Sequence, residues 1–464
     1  MSSTNPSQPN RPASRRDFLA TSAAALATAA LTGCGPKRDV AVRPDEPPPQ
    51  KPKAHVEAPK GAPAVRPGGE RPERIRIGLV GCGGRGTGAA IDCLRSSPNI
   101  ELVALGDLVR DRIDSCLETL NNTDHADVAP MAKVKPDDCY VGFDAYKGVL
   151  QAGIDLVLLA TPPGFRPAQF EAAIKARKHV FMEKPVAVDP AGVRRVIAAA
   201  RLADRRKLCV VTGTQRRHEP RYLETMKLIH DGAIGEIVSA ECYWNQGGLW
   251  CHEHKPEWSD MEWQCRNWLY FTWLSGDHIV EQHVHNLDVI NWALRATPIS
   301  CIGLGGRQVR TEPKYGNIYD HFAVEYEYPG GVRVHSFCRQ TPGCSERVSE
   351  RLVGTKGIAD PSGWIDCGLE WKYEAPEGSE QNPYVIEHAD LIDAIRGDKP
   401  LNEAKRVAES TLTAIMGRMS AYTGREVSWN WVLNKSELDL TPPRLEFGEL
   451  PVAEVAMPGV TKLV

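Results

Sequence analysis

The stretch from residue 74 to residue 86 reads RIRIGLVGCGGRG. Its first half, ending at Val80, has the apolar content of a strand that is buried on both faces of a parallel sheet. Its second half is a GxGxxG turn, and a helical pattern follows from Thr87 to Arg95. The order of strand, glycine-rich turn and helix predicts the first unit of an open α/β sheet.

The glycines of this turn indicate a phosphate-binding site. One glycine allows the tight bend, one lets backbone amides approach a pyrophosphate, and one permits close packing of the helix on the strand. A second strand, over residues 101–105, ends at Asp107, about twenty residues after the last glycine, where a carboxylate would accept from a ribose diol. Asp107 would repel a 2′-phosphate, so the sequence favours NAD over NADP, although Arg110 stands close enough to weaken that preference. The alternative is a glycine-rich turn that packs a helix without any nucleotide.

Two further apolar strands end in short motifs. Residues 154–160 lead into TPP, and residues 179–182 lead into EKP. Because ligands bind at the carboxyl ends of the strands in such sheets, we expect Thr161 and Lys184 at the edge of the cofactor. The predicted cofactor-binding residues are Gly81, Gly83, Gly84, Arg85, Gly86, Asp107, Thr161, Pro162, Glu183 and Lys184.

In this order, the motifs resemble those of the Gfo/Idh/MocA family of glucose-fructose oxidoreductases and inositol dehydrogenases. The resemblance extends from residue 75 to about residue 427 and rests on GxGxxG, TPP, EKP and the segment EQHVHNLD at residues 281–288. It implies that Lys184, Glu281 and His285 form the catalytic group. The sequence departs from the family pattern at Glu281, where aspartate is usual, and at Arg166, where a histidine often follows the TPP element.

The spacing within the last motif also predicts a catalytic arrangement. Residues 281, 285, 288 and 292 follow helical spacing, which would place Glu281 and His285 on one helix face. A sugar alcohol that loses hydride must also lose its hydroxyl proton, and histidine is the base best suited to neutral pH. We assign His285 as the general base, Glu281 as its orienting or relaying carboxylate, and Lys184 as the donor that stabilises the substrate oxygen. The alternative is a buried hydrogen bond with a purely structural role.

Six of the eleven tryptophans lie between residues 244 and 273. Sugar rings present C–H faces that pack on aromatic planes, so this cluster fits the rim of a carbohydrate cleft. An equally weighted alternative is an interface or a covering flap. Arg216 is a weaker candidate for substrate contact, on its position just after the first domain. The predicted substrate-binding residues are Lys184, Arg217, Tyr222, Trp250, Glu281 and His285.

Charge and histidine spacing argue against two classes of ligand. The net charge of −3 leaves no basic field for a polyanion, so we do not expect nucleic acid as a partner. His278, His283 and His285 do not share a helix face, and CHEH at residues 251–254 has no second ligand pair at zinc-finger spacing. No metal site is therefore predicted.

The N-terminus carries export signals. Arg15 and Arg16 precede a mild apolar run, residues 20–31, which is too short to span a bilayer and is typical of a twin-arginine signal. The run closes with LTGC, which resembles a bacterial lipobox and predicts lipidation of Cys34. We therefore expect an exported lipoprotein on the periplasmic side, attached to the membrane only through its lipid. The alternative is a disordered basic N-terminus that happens to contain two arginines.

The predicted fold class is α/β, with an N-terminal Rossmann dinucleotide-binding domain and a C-terminal α+β domain that has a mostly antiparallel open sheet. A hairpin is expected at Pro329-Gly330-Gly331 and a helix over residues 403–422. The predicted domains are a signal with lipobox (1–34), a disordered proline-rich linker (35–73), a Rossmann NAD-binding domain (74–214), an α+β substrate-binding and catalytic domain (215–427) and a C-terminal extension (428–464).

The favoured function is an oxidoreductase that acts on a CH–OH group of a small carbohydrate. Free NAD is scarce outside the cytoplasm, and twin-arginine export carries folded proteins, so we expect tightly bound NAD. A second hypothesis is an NAD-dependent glycoside hydrolase that works by transient oxidation and elimination. A third is a non-catalytic sugar-binding lipoprotein, against which the intact Lys184 and His285 argue. We expect a homo-oligomer in each case.

Overall fold

The first sheet has six parallel strands. The computed structural model describes residues 74–378, 382–397 and 399–464, so the predicted export signal, Cys34 and the linker lie outside the described residues. The strands of the first sheet are β1 (Ile75–Val80), β2 (Ile100–Asp107), β3 (Cys139–Val141), β4 (Leu156–Leu159), β5 (His179–Met182) and β6 (Val210–Thr212). Their spatial order is β3-β2-β1-β4-β5-β6 with every pair parallel, which confirms the predicted Rossmann sheet.

Helices alternate with these strands along the chain. They are α1 (Gly84–Ser96), α2 (Arg110–Leu120), α3 (Ala145–Gln151), α4 (Arg166–Lys175) and α5 (Pro190–Arg205). Every residue of β4 is buried, and β1 exposes only Arg76, so the sheet forms the centre of the core. Because the strands are parallel, the turns after β1, β2, β4 and β5 lie along one edge. That edge brings the glycine-rich turn beside the TPP and EKP motifs.

The second sheet is mostly antiparallel, as predicted. Its strands are β7 (Ile237–Gln246), β8 (Ser300–Gly306), β9 (His321–Tyr328), β10 (Val332–Gln340), β11 (Arg347–Gly354), β12 (Ile358–Asp360), β13 (Trp364–Asp366), β14 (Glu370–Lys372) and β15 (Val427–Ser428). Their order is β14-β13-β12-β11-β7-β10-β9-β8-β15, with β7 and β10 parallel and the other neighbours antiparallel. The predicted hairpin at residues 329–331 joins β9 to β10.

Helices of the second half connect the two sheets. They are α6 (Pro220–His230), α7 (Asp260–Arg266), α8 (Thr272–Ser275), α9 (His278–Glu281), α10 (Val284–Leu294), α11 (Pro383–Arg396), α12 (Ala404–Thr423) and α13 (Trp429–Asn434). The predicted C-terminal helix is α12, which packs on both α5 and β8. Leu391 and Ile392 of α11 are buried in the same apolar cluster as β1, so the chain returns to the first sheet late in the sequence. Within the described ranges, no helix is long and apolar enough to cross a membrane.

The predicted continuous helix over residues 281–292 is wrong. Helix α9 ends at Glu281, and α10 begins three residues later. The amide of His283 donates to the carbonyl of His278, five residues back, which interrupts the helical register. The buried imidazole of His283 bonds to Ser336 Oγ of the second sheet at 2.7 Å, a tertiary contact that helical spacing does not reveal. The predicted carboxylate and base therefore stand on two helices.

Candidate functional site

Two glycines of the turn after β1 are required by their surroundings. Gly81 has a φ of +96°, and a Cβ there would lie 2.6 Å from the amide nitrogen of Thr161. A Cβ on Gly86 would lie 1.8 Å from the carbonyl oxygen of Gly81, so α1 approaches β1 only without a side chain here. At Gly83 and Gly84, no atom among the described residues comes within 4 Å of an ideal Cβ. The turn thus combines a tightly packed base with an open side, as a pyrophosphate requires.

The N-terminus of α1 leaves backbone amides available to an anion. In the described part of the chain, no side chain caps this helix, and its first turn contains no acidic residue. Unpaired amides and the helix dipole at such an end favour a phosphate group. The turn and the helix together therefore fit the pyrophosphate of a dinucleotide.

Asp107 lies at the end of β2, beside the same turn. Its carboxylate accepts a hydrogen bond from the amide of Cys82 at 2.7 Å. Burial raises the pKa of Asp107, and the hydrogen bond from Cys82 acts in the opposite direction. Arg110, which was expected to weaken the preference for NAD, donates to Asp114 at 2.8 Å. Arg112 lines the same cavity as Asp107, and its charge acts to lower the pKa of Asp107.

A cavity of about 440 Å³ extends along this edge of the first sheet. Most of the predicted cofactor-binding residues line it, namely Gly81, Gly83, Gly84, Arg85, Gly86, Asp107, Thr161 and Pro162. The second half of the chain contributes Trp250, His252, Cys265, Arg266 and Trp268. Of the predicted set, Glu183 and Lys184 do not line the cavity.

Glu183 supports the glycine-rich turn. Its buried carboxylate accepts from Nε of Arg85 at 2.5 Å, and the carboxylates of Asp92 and Glu387 lie 3.5 Å from the same guanidinium. Burial acts to raise the pKa of Glu183, but the charges of Arg85 and Lys184 contribute to lowering it overall. This ion pair connects the turn to the residue that precedes Lys184, so the geometry gives Glu183 a positioning role.

Lys184 and Glu281 form a close pair. Nζ of Lys184 donates to the backbone carbonyl of Glu281 at 2.6 Å and to its carboxylate Oε1 at 3.1 Å. The two side chains retain 11% and 9% of their exposure. The second carboxylate oxygen, Oε2, is buried and has no hydrogen-bond partner among the described residues. The lysine is thus fixed at the tip of β5 beside a carboxylate oxygen that is open to another donor.

His285 lies near this pair and stacks on Trp244. The two ring centroids are 5.8 Å apart, with 20° between the planes. Burial lowers the pKa of His285 well below its ordinary value, and the charges of Lys184 and Arg216 act in the same direction. The imidazole is therefore neutral at neutral pH and able to accept a proton. The fold brings the three predicted catalytic residues into one neighbourhood.

Arg216 approaches this neighbourhood from the side of Trp244. Its guanidinium carbon lies 5.9 Å from the centre of the Trp244 ring, and Nη1 donates to Glu350 Oε1 at 2.5 Å. The hydroxyl of Tyr222, predicted to contact substrate, lies 3.4 Å from the other oxygen of Glu350, and Tyr222 is buried. Tyr222 therefore supports the carboxylate that holds Arg216.

Arg217, predicted to contact substrate, is engaged elsewhere. Its Nε and Nη2 donate to the two carboxylate oxygens of Asp288 at 2.7 and 3.0 Å, and its guanidinium lies 4.6 Å from the centre of the Trp292 ring. Both partners of this ion pair are buried. Breaking a buried bidentate pair is costly, so the geometry assigns Arg217 to the support of α10, and its predicted contact with substrate stays a prediction.

The tryptophans of this segment lie in three places. Trp244 contacts His285, whereas Trp250 and Trp268 line the 440 Å³ cavity. Trp263 is buried in a small apolar core that also contains Phe271. Trp250 and Trp268 thus lie over part of the cavity, an arrangement that agrees with the flap alternative. Trp250 shares this cavity with the glycine-rich turn, and its predicted contact with a sugar stays a prediction.

Some polar residues near the site were missed from the sequence. Nη1 of the buried Arg166 donates to the carbonyl of Pro185 at 2.6 Å, and Nδ2 of Asn286 donates to Glu350 Oε1 at 2.6 Å. Arg166 was visible only as a departure from the family pattern. Glu350 occupies an inward position of β11, and a charged residue in such an alternating pattern was the available signal.

The histidines around residue 280 do not converge. His278 packs its ring on Phe322, with centroids 5.1 Å apart, while His283 bonds to Ser336. In the ranges that the structure describes, no group of three or more His, Cys, Asp or Glu side chains is arranged to hold a metal ion.

Models of one protein family match both domains. A model described as oxidoreductase family, NAD-binding Rossmann fold, matches residues 75–212. A model described as GFO/IDH/MocA C-terminal domain matches residues 222–360. Together the two matches cover more than half of the chain.

Curated relatives with different activities are similar to this chain. An inositol 2-dehydrogenase of Rubrobacter xylanophilus is 26% identical over 338 residues, which is 71% of this chain and 85% of the relative. A 2,7-anhydro-N-acetylneuraminate hydratase of Escherichia coli K12 is 28% identical over 178 residues, which is 38% of this chain and 44% of the relative. A glycosyl hydrolase family 109 protein of Streptomyces niveus is 27% identical over 252 residues, which is 52% of this chain and 47% of the relative. The matches thus span less than half the length of the last two relatives.

Solved structures share the fold. The crystal structure of GenD2 from gentamicin A biosynthesis in complex with NAD aligns with a TM-score of 0.60 and 18% identity, over 79% of this chain and 99% of that one. At this level of identity the likeness shows the architecture alone.

Proposed function

The chain belongs to the Gfo/Idh/MocA oxidoreductase family, and from this premise we propose that it oxidises a hydroxyl of a sugar or sugar derivative, with bound NAD as the hydride acceptor. The observation that carries the proposal is the grouping of Lys184, Glu281 and His285 beside the carboxyl end of β5. Similarity to an inositol 2-dehydrogenase supports the hydroxyl of a ring as the reacting group.

The first domain would hold the dinucleotide, which supplies the hydride-accepting ring. The open side of Gly83 and Gly84 and the uncapped N-terminus of α1 fit its pyrophosphate. Asp107 would accept from the ribose diol, and its charge would oppose a 2′-phosphate, so NAD is the proposed cofactor rather than NADP. Arg112, in the same cavity, is the group that would moderate this preference.

The residues at the end of β5 would handle the proton. The neutral imidazole of His285 would accept the proton of the substrate hydroxyl. At the same time, hydride would leave the carbon that bears this hydroxyl. Lys184 would donate to the substrate oxygen and stabilise the negative charge that develops on it. Glu281 would hold the lysine in place through its carbonyl and its carboxylate, whereas its predicted role of orienting His285 or relaying its proton stays a prediction. We therefore assign Lys184, Glu281 and His285 to the catalytic group. Arg216 would lie beside this group.

A second candidate function is the NAD-dependent cleavage of a glycoside. Similarity to a glycosyl hydrolase family 109 protein, over 52% of this chain, favours it. In that reaction bound NAD would transiently oxidise a ring hydroxyl to a ketone, which makes the neighbouring C–H acidic. Loss of this proton and of the glycosidic substituent would leave a double bond. Water would then add to that bond, and the NADH formed in the first step would reduce the ketone again. The net change is hydrolysis, so no NADH accumulates.

The N-terminal sequence carries a separate proposal about location. We propose twin-arginine export, lipid attachment at Cys34 and a position on the periplasmic side of the membrane. We also propose that the protein binds a small carbohydrate and is a homo-oligomer. In the native host, Cys34→Ala should move the protein from the membrane fraction to the soluble fraction. Unchanged membrane association of this variant would refute the lipid anchor.

The function is tested by denaturing the purified protein and identifying any released nucleotide by mass spectrometry. Turnover is then measured on polyols and on disaccharides with added NAD. Formation of NADH from a polyol supports the dehydrogenase, and release of monosaccharide without net NADH supports the glycosidase. A protein that neither carries nor binds a nicotinamide dinucleotide would overturn both and leave the non-catalytic sugar-binding alternative.

A further inference from the structure

We propose that residues 249–268 form a braced cover that retains the adenosine half of the dinucleotide on the protein. The proposal rests on the proposed function, because it requires a dinucleotide in the 440 Å³ cavity. It goes further in assigning the tryptophan-rich segment of the second half to cofactor retention, and in naming the contacts that keep it closed.

The cover places an aromatic wall in the cavity that contains Asp107. Trp250 and Trp268 meet at 6.3 Å between ring centroids with 61° between planes, and His252 lies 5.1 Å from Trp250. Trp250 remains 44% exposed, which leaves a large apolar ring available to a ligand. A purine base stacks on such rings, and a ribose diol suits the carboxylate of Asp107. The combination fits adenosine, because one cavity offers both surfaces.

An ion pair joins the cover to the first domain. Nη1 and Nη2 of Arg266 donate to the two oxygens of Asp111 at 2.8 and 3.3 Å. Arg266 lies on α7, and Asp111 lies in the first turn of α2, directly after the strand that ends in Asp107. A second carboxylate, that of Glu262, accepts from Nε of Arg266 at 2.8 Å and fixes the fork of the guanidinium. Opening the cover requires this pair to separate.

Hydrogen bonds within the cover, and one from Tyr270 just after it, hold its aromatic residues in place. The hydroxyl of Tyr270 donates to the carbonyl of Trp250 at 2.8 Å. The amide of His252 donates to Asn267 Oδ1 at 2.9 Å, and Nε1 of Trp263 donates to the carbonyl of His252 at 2.9 Å. The loop that carries Trp250 is therefore tied to the helical part that carries Trp268.

The C-terminal extension braces the cover from another side. The amide of Met261 donates to the carbonyl of Gly448 at 3.2 Å, and Nε2 of Gln264 donates to the carbonyl of Leu450 at 2.7 Å. The amide of Leu450 in turn donates to Asp260 Oδ2 at 3.2 Å. Because the ion pair with Asp111 and the bonds with the C-terminal extension both hold the cover, it should make nucleotide release slow.

The test compares two carboxylates on the same helix. Asp111→Asn weakens the pair with Arg266, whereas Asp114→Asn weakens the pair that Asp114 makes with Arg110. Each purified protein is loaded with NADH, mixed with excess NAD, and followed by the loss of bound NADH fluorescence. We expect release to be about two- to fivefold faster for Asp111→Asn, because its carboxylate is largely exposed, and unchanged for Asp114→Asn.

A second variant guards against indirect effects. Trp250→Ala removes a half-exposed ring and should also speed release at least tenfold, while Trp364→Ala on β13, outside the cavity, should not. NADH binding with wild-type release rates in both Asp111→Asn and Trp250→Ala would overturn the cover and leave the proposed function standing. Failure of the wild-type protein to bind NADH would instead overturn the proposed function.

Discussion

Lys184 donates to Glu281 twice, to the carboxylate at 3.1 Å and to the backbone carbonyl at 2.6 Å. The contact with the carbonyl does not depend on the identity of the side chain at position 281. A lysine held in this way remains partly oriented when the carboxylate is altered. The break between α9 and α10 directly after Glu281 is what exposes that carbonyl to the lysine, because helical hydrogen bonding stops there.

This double contact predicts unequal losses for two substitutions. Lys184→Met should lower kcat by about 10²- to 10³-fold, as removal of a donor to a developing oxyanion does. Glu281→Gln should cost about tenfold, since one charge-assisted hydrogen bond is weakened and the carbonyl contact survives. The control is Lys178→Met, because Lys178 also donates to a carbonyl, that of Ile154, in the same domain. Equal losses for the two site variants, measured by steady-state kinetics, would contradict the arrangement.

The sequence predicts the first domain well because its signals are local. The glycine pattern, the apolar strands and the motifs at their carboxyl ends each depend on a few adjacent residues. Gly86 shows why, since its contact with Gly81 closes a turn of six residues. The PGG hairpin between β9 and β10 is local in the same sense.

The parts of the site that sequence reasoning missed depend on distant partners. Helical spacing predicted one face for Glu281 and His285, but a bond between His283 and Ser336 of the second sheet accompanies the break. Neighbouring Arg216 and Arg217 look equivalent in sequence. Only the positions of Glu350 and Asp288, far along the chain, decide which arginine approaches the base.

The buried state of His285 predicts the acid side of the pH profile. Burial, together with Lys184 and Arg216, lowers its pKa well below the ordinary value. The base should therefore stay deprotonated as the pH falls through about 6.5, and kcat/KM should hold its value there and decline only at lower pH. A pH profile of kcat/KM on a polyol measures this. An acid limb centred at or above the ordinary histidine pKa would exclude His285 as the base.

His218 predicts a loss of stability on the alkaline side. It lies in a buried cluster, with Nδ1 2.6 Å from Asp390 and Nε2 3.5 Å from Glu403. Burial opposes its charge, but the two carboxylates raise its pKa to about 10. A folded-state pKa above the unfolded value gives stability that is complete below about pH 6.5 and lost as the pH rises through the folded value.

Substitution of His218 should cost more stability than substitution of an exposed histidine. His218→Ala should lower the free energy of unfolding at neutral pH by about 3–5 kcal/mol, because two buried carboxylates lose a partner. His254→Ala breaks an exposed pair with Asp260 and should cost about 0–1 kcal/mol. Denaturant unfolding at several pH values measures both. The deficit of His218→Ala should shrink toward pH 10, and a deficit that stays constant would contradict the assigned protonation.

The glycine-rich turn predicts that stability and nucleotide binding can be separated. Gly86→Ala forces a Cβ to within 1.8 Å of the carbonyl of Gly81 and should destabilise the fold by about 1–3 kcal/mol. Gly83 has a φ of −71°, and its Cβ position is free of other described atoms. The free energy of unfolding of Gly83→Ala should therefore lie within about 0.5 kcal/mol of the wild-type value. It should still bind NAD at least tenfold more weakly, because its methyl group enters the space where the pyrophosphate approaches the amides.

The matched control for this pair is Gly88→Ala, also in α1. Among the described residues, a Cβ at Gly88 would meet only Nη1 of Arg85, at 3.9 Å, so this variant should keep its affinity for NAD. It should gain up to about 1 kcal/mol of stability from the better helix propensity of alanine. Denaturant unfolding and calorimetric titration with NAD give both quantities for each variant. Wild-type affinity in Gly83→Ala would mean that the pyrophosphate does not pass over this glycine, and the proposed orientation of the dinucleotide would have to be abandoned.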